Sequence, residues 1–166
     1  LYSRIVSRRN IDTLKYYRPA EEELERQYRH ACAFFALLKE NFRPLGQYFA
    51  ARDYTAVVRQ HRGSFGGNVL FRPIGLLMMT EVIAVLSRKQ TLASAVTAAS
   101  RLPLKLSRAP YLDVLWDKRR GMGNQGKSLA RDLLLHMLGK LSQDQSEAVG
   151  KKYARALEME PDDWQK

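Results

Sequence analysis

Gly121-Met122-Gly123-Asn124-Gln125-Gly126-Lys127-Ser128 fits the phosphate-loop pattern G-x-x-x-x-G-K-[ST] at every fixed position, and its reading decides between a nucleotide-binding α/β fold and a helical one. A phosphate loop joins the end of a buried strand to a helix. Its glycine amides then cradle phosphate, its Lys reaches the β/γ oxygens and its hydroxyl holds Mg²⁺. The four residues before Gly121 are Asp117, Lys118, Arg119 and Arg120, a solvated charged run and not a strand end. The helix after the string is credible, because Leu129, Leu133, Leu134, Met137, Leu138 and Leu141 recur at helical spacing. Beyond it the chain offers one more helix and an acidic tail, with no apolar strand ending in a carboxylate for Mg²⁺. The string therefore reads as a glycine turn that opens a helix, and the sequence predicts a mainly α fold. We expect a compact helical bundle of about six to seven helices, with room for one short hairpin or strand pair.

The other helices follow from their punctuation. Pro19 and Glu21-Glu22-Glu23 open a helix that runs to about Asn41, since Pro suits a first turn and carboxylates suit the positive helix end. Its expected buried face is Leu24, Tyr28, Ala31, Phe34, Phe35 and Leu38, and Cys32 beside it reads as a buried small hydrophobe. Arg43-Pro44 ends it, and a second piece from Leu45 to Val58 brings Tyr48, Phe49 and Tyr54 to pack on the first. Pro73 starts a helix to about Lys89 that is apolar almost all round, which predicts the centre of the core with Met78 and Met79 inside it. A helix from Thr91 to Leu102 follows and closes at Pro103. The pair resembles a helix-turn-helix, yet Ala93, Ala95, Val96, Ala98 and Ala99 offer little to read base edges. The stretch from Pro110 to Asp117 reads as a short helix or strand that seats Trp116 in the core, with Asp113 and Asp117 a capping and solvation pair. The last helices are Lys127 to Leu141 and Gln143 to Met159, with Ser142 the N-cap of the second.

With 166 residues and 45% hydrophobic content, one domain with a real core is expected. We divide the chain into a basic N-terminal segment over 1–18, a single helical domain over 19–160 and a tail over 161–166. The chain opens in a basic run with no apolar signal core or membrane-length apolar stretch, so we expect a cytoplasmic C-terminal region of something longer. His30, His61, His136 and the single Cys32 stand apart in the sequence, so no metal-ligand set is expected, and no catalytic constellation or cofactor site is read.

Charge is the strongest bulk signal. Lys plus Arg number 28 against 17 Asp plus Glu, and such a surplus calls for an anionic partner. It is concentrated in two stretches and one smaller group. The first stretch carries Arg4, Arg8 and Arg9 with Lys15 and Arg18; the second carries Arg101, Lys105, Arg108, Lys118, Arg119, Arg120 and Lys127; the group is Arg59, Arg62 and Arg72. Glu158 to Asp163 is acidic and would keep away from a polyanion. The expected partner is DNA, held mainly by its phosphate backbone, without a membrane role. Gly126, Lys127 and Ser128 would hold one phosphate at the free amides of a helix start. A second reading makes the same basic faces dock on an acidic partner subunit, with Tyr16, Tyr17 and Trp164 as anchors. The third is the nucleotide hydrolase that the string at 121–128 would imply.

Two groups of residues carry a resemblance. Gly66-Gly67-Asn68-Val69-Leu70-Phe71-Arg72-Pro73-Ile74-Gly75-Leu76, with Val114 to Asp117, Gly121-Met122 and Leu134 to Gly139, resembles the C-terminal half of the bacterial DGQHR-domain family. That family is similar to ParB-like proteins and includes DndB, a regulator of DNA sulfur modification. The likeness spans residues 55 to 140 and implies a place in a bacterial DNA-modification or antiphage defence system, alongside its other subunits. The signature Asp-Gly-Gln-His-Arg is not matched here. The nearest string, Val58-Arg59-Gln60-His61-Arg62, lacks the Asp-Gly, so no active-site role is carried over.

Overall fold

A computed structural model describes residues 19–63, 66–117, 119 and 121–158. Seven α-helices are described: α1 Glu21–Asn41, α2 Arg43–Ala50, α3 Tyr54–Arg62, α4 Pro73–Leu86, α5 Leu92–Ser100, α6 Lys127–Met137 and α7 Gln143–Ala156. A 3-10 turn, Val69–Phe71, precedes α4. Strands β1 (Trp116–Asp117) and β2 (Gly121–Met122) form a small antiparallel hairpin in which Trp116 faces Met122 and Asp117 faces Gly121. The architecture is the expected helical bundle with a short strand pair.

Helix α4 is the axis. It packs on α5, α6 and the 3-10 turn, and buries Gly75, Met78, Met79, Thr80, Val82, Ile83 and Leu86. A helix apolar on all sides has no other place in a small bundle, because each buried aliphatic side chain contributes about 1.5–3 kcal/mol. Thr80 is tolerated there because its hydroxyl donates to Leu76 O at 2.8 Å, so no buried donor is left open. Helix α1 crosses α2 and α5 with Phe34 and Leu38 buried. Trp116 is buried, as expected. Tyr111 is buried too, and its hydroxyl donates to Pro103 O at 2.6 Å; burial holds its phenol well above the usual tyrosine range. Helix α7 opens with a capping box in which Ser142 and Gln145 satisfy each other's backbone amides.

Several sequence expectations are corrected. Cys32 is exposed, because it sits two residues from Phe34 and so points away from the buried stripe of α1. Tyr28, Phe35, Phe49 and Tyr54 are exposed as well. The piece expected from Leu45 to Val58 is two helices, since Asp53 caps α3 by accepting from the Ala56 amide at 3.0 Å. Helices α4, α6 and α7 end earlier than expected, at Leu86, Met137 and Ala156. Asp113 is not on a helix: its φ is 63° and its amide donates to Trp116 O. Helix α5 buries Ala95, Val96 and Ala99 in the core, so that face is closed to a DNA groove. No described helix is long and apolar enough to cross a membrane.

Candidate nucleic-acid interface

The basic group on α3 and the basic stretch after α5 lie far apart in sequence and are brought to one turn. The link is a short antiparallel pairing: Asn68 bridges Lys105, the Val69 amide donates to Leu104 O at 2.8 Å, and the Leu106 amide donates to Gly67 O at 3.0 Å. Gly67 makes the turn possible. Its φ is +62°, and a Cβ there would lie 2.1 Å from Arg62 O, a position that only glycine can occupy. The Asn68 side chain accepts from the Leu70 amide at 2.9 Å and starts the 3-10 turn.

Around this turn the arginines interlock. Arg62 ends α3, and its Nε donates to Phe71 O at 3.1 Å; Arg72 caps α4, and its Nη2 donates to Arg62 O at 3.3 Å. Arg59 and Arg62 line one shallow surface depression with Thr55, Val58 and Gly63. Arg59 and Arg62 also sit in the last turn of α3, where cations complement the helix dipole. His61 stacks on Phe71 with ring centroids 4.6 Å apart and contacts Gln47 at 3.1 Å, which fixes the end of α3 against α2. Lys105 and Arg108 are exposed on the paired segment, and Ser107 between them packs against Gly66. Among the described residues, none of Arg59, Arg62, Arg72, Lys105 and Arg108 forms an ion pair.

The phosphate-loop string is arranged differently. Gly121 lies in β2, hydrogen-bonded into an antiparallel hairpin. The Gly123 amide donates to Leu115 O and the Lys127 amide to Asn124 O, so two amides that a phosphate loop would offer are occupied. Gly126 is small for a packing reason: a Cβ would lie 1.7 Å from Val114 O. Lys127 Nζ reaches Glu81 Oε1 at 2.9 Å, with side-chain exposures of 25% and 15%. This pair ties α6 to α4 and neutralises Lys127. Glu81 is the partner of Lys127 that the sequence expectation missed. The signal was present, because Glu81 is the single charged residue in the apolar run of α4 and a carboxylate there needs a cation.

Of the remaining expected contacts, Arg101 is exposed at the C-cap of α5, and Arg119 is exposed in the hairpin loop with its amide donating to Asp117 Oδ1 at 2.7 Å. Ser128 is exposed in the first turn of α6. Arg4, Arg8, Arg9, Lys118 and Arg120 lie outside the described residues. No group of His, Cys, Asp and Glu able to hold a metal occurs among the described residues. Comparison with protein-family models, with curated proteins and with solved structures found no match.

Proposed function

We propose that this chain is a DNA-binding or DNA-positioning module whose principal contact surface is the basic turn made by the end of α3, residues 66–72 and residues 104–108. The observation that carries the reading is the meeting there of segments that carry five cations, Arg59, Arg62, Arg72, Lys105 and Arg108, none with an ion-pair partner among the described residues. Arg101 and Arg119, both exposed, extend the basic surface, and Arg4, Arg8 and Arg9 would add to it from the N-terminal segment. Guanidinium and ammonium groups held on helix ends and on the paired segment contact phosphates, so the affinity is salt-dependent and weakly sequence-specific. Lys127 is left out of this surface because Glu81 already holds it. The resemblance to DGQHR-domain proteins extends the proposal to a bacterial DNA-modification or defence system, and that extension rests on the shared strings alone.

The test is binding of a labelled random duplex at low salt to the chain and to its Arg59→Glu/Lys105→Glu variant. We expect the double reversal to weaken binding at least about tenfold, since each lost contact and each new repulsion acts on the same phosphates. Unchanged affinity would overturn the proposal. A second reading, docking of the basic turn on an acidic partner subunit, is favoured by Phe49, which is 49% exposed and lines a groove with Arg62 and Arg72, because a half-exposed aromatic beside arginines suits a protein interface. Displacement of a protein partner by duplex DNA would show one shared face; no displacement would separate the two.

A further inference from the structure

Beside the interlocked arginines a groove of about 340 Å³ opens between α1, α2, α3 and the start of α4, walled by Phe35, Leu45, Phe49, Phe71 and Leu76 and flanked by Arg62 and Arg72. Its volume lies in the range of pockets that enclose a small molecule, about 300–1,000 Å³. Two further features distinguish it from a plain apolar cleft. Arg72 Nε is buried and has no hydrogen-bond partner among the described residues, and an N–H in that condition is unfavourable until an acceptor reaches it. Neither flanking arginine has a carboxylate partner among the described residues.

These features select the ligand. The two guanidinium groups call for an anionic head, and planar guanidinium donors suit carboxylate and phosphate oxygens. The aromatic and aliphatic walls call for an apolar body. A nucleobase fits poorly, because the donors and acceptors around its ring would face hydrocarbon and go unpaired. We propose that this groove is a binding site for a small acidic amphiphile, an aliphatic or aromatic body carrying one carboxylate or phosphate head, with the head on Arg62 and Arg72. Arg62 and Arg72 also belong to the proposed DNA surface, so an occupied groove would neutralise two of its cations. Ligand and duplex would then weaken each other's binding reciprocally, a consequence that rests on the DNA reading.

The experiment is a calorimetric titration of the whole chain, without DNA, against decanoate, decyl phosphate, decanol and decyltrimethylammonium, each below its micelle concentration. We expect one-to-one binding of at least one of the two anions, with decanol weaker by about tenfold or more because it lacks the charge-assisted bonds. The ammonium compound should be weaker still. Binding of decanoate alone, of decyl phosphate alone or of both supports the site and identifies the head group it accepts. Arg72→Gln should reduce anion binding about tenfold and leave decanol unchanged. Phe49→Glu, at a half-exposed wall residue that the fold does not need buried, should abolish anion binding while helical circular dichroism is retained. The proposal is overturned if neither anion binds, if the anions, the alcohol and the ammonium compound bind equally, or if folded Phe49→Glu binds as tightly as the parent. Duplex binding is measured separately, so either proposal can fail without the other.

Discussion

Two glycine turns in this protein each precede a helix beside a cluster of basic residues, and they put their charge to opposite uses. The turn at 121–128 matches a phosphate-binding pattern in its letters, yet its lysine is held 2.9 Å from Glu81 and two of its amides donate to protein carbonyls. The turn at 66–71 matches no such pattern, yet Arg59, Arg62 and Arg72 lie beside it without an ion pair among the described residues, and Lys105 is paired in across the bridge to Asn68. A string states which side chains are near one another along the chain. Whether a cation is available to a ligand depends on carboxylates that arrive from elsewhere in the fold.

The largest effect is expected where each turn's glycine cannot be replaced. Gly67→Ala and Gly126→Ala should each destabilise the protein by about 3 kcal/mol or more, read by urea unfolding, because a Cβ would meet Arg62 O at 2.1 Å or Val114 O at 1.7 Å. The contrast lies in function. At temperatures where the variants remain folded, Gly67→Ala should lower duplex affinity by distorting the basic turn, and Gly126→Ala should leave it unchanged. Equal loss of duplex affinity in both would erase the distinction between the turns.

A smaller effect is expected at the Glu81 to Lys127 pair. Lys127→Ala should cost about 2 kcal/mol, since it strips a charged hydrogen bond from a mostly buried carboxylate. It should change duplex affinity by less than about twofold, because a neutralised lysine adds little to phosphate binding. Conversely, Glu81→Gln releases Lys127 and should steepen the salt dependence of duplex binding by about one contact. A large loss of duplex affinity in Lys127→Ala would return the phosphate role to the 121–128 turn.

The smallest expected effect lies away from both turns and serves as their control. Tyr111→Phe removes the hydroxyl bond to Pro103 O and should cost about 1 kcal/mol at neutral pH. Because burial raises the folded-state pKa of Tyr111, its contribution is fully present below the unfolded tyrosine value of about 10 and is lost as pH rises beyond it. The variant should therefore lose stability less steeply above that pH in chemical unfolding, with duplex binding unaltered. An identical alkaline slope would contradict the assignment.

Much of the bundle was legible because its signals are local. The all-round apolarity of Pro73 to Leu86 marked the central helix, Ser142 marked the start of α7, and the charged run before Gly121 excluded a buried parallel strand. The break between α2 and α3 was missed, because the apolar spacing from Leu45 to Val58 suggests a single helix; the N-cap Asp53 marks it in the structure. The burial assigned to Cys32 and Tyr28 failed because α1 buries a narrower stripe than its composition suggests. The candidate site was only half legible. Its cations could be named from charge clustering, but their convergence depends on Asn68 meeting Lys105, on Arg62 donating to Phe71 O and on Arg72 donating to Arg62 O. Such contacts span tens of residues or depend on side-chain direction, and no spacing rule encodes them.

If the basic turn around Gly67 supplies the phosphate contacts and the 121–128 turn does not, the salt dependence of random-duplex affinity will separate the chain from Arg59→Ala/Arg62→Ala/Lys105→Ala but not from Lys127→Ala. The expected result is a log–log slope that becomes shallower by about 2.7 in the triple variant and stays unchanged in Lys127→Ala. A parent chain that fails to bind duplex at low salt, or a triple variant that keeps the parent slope, would contradict it.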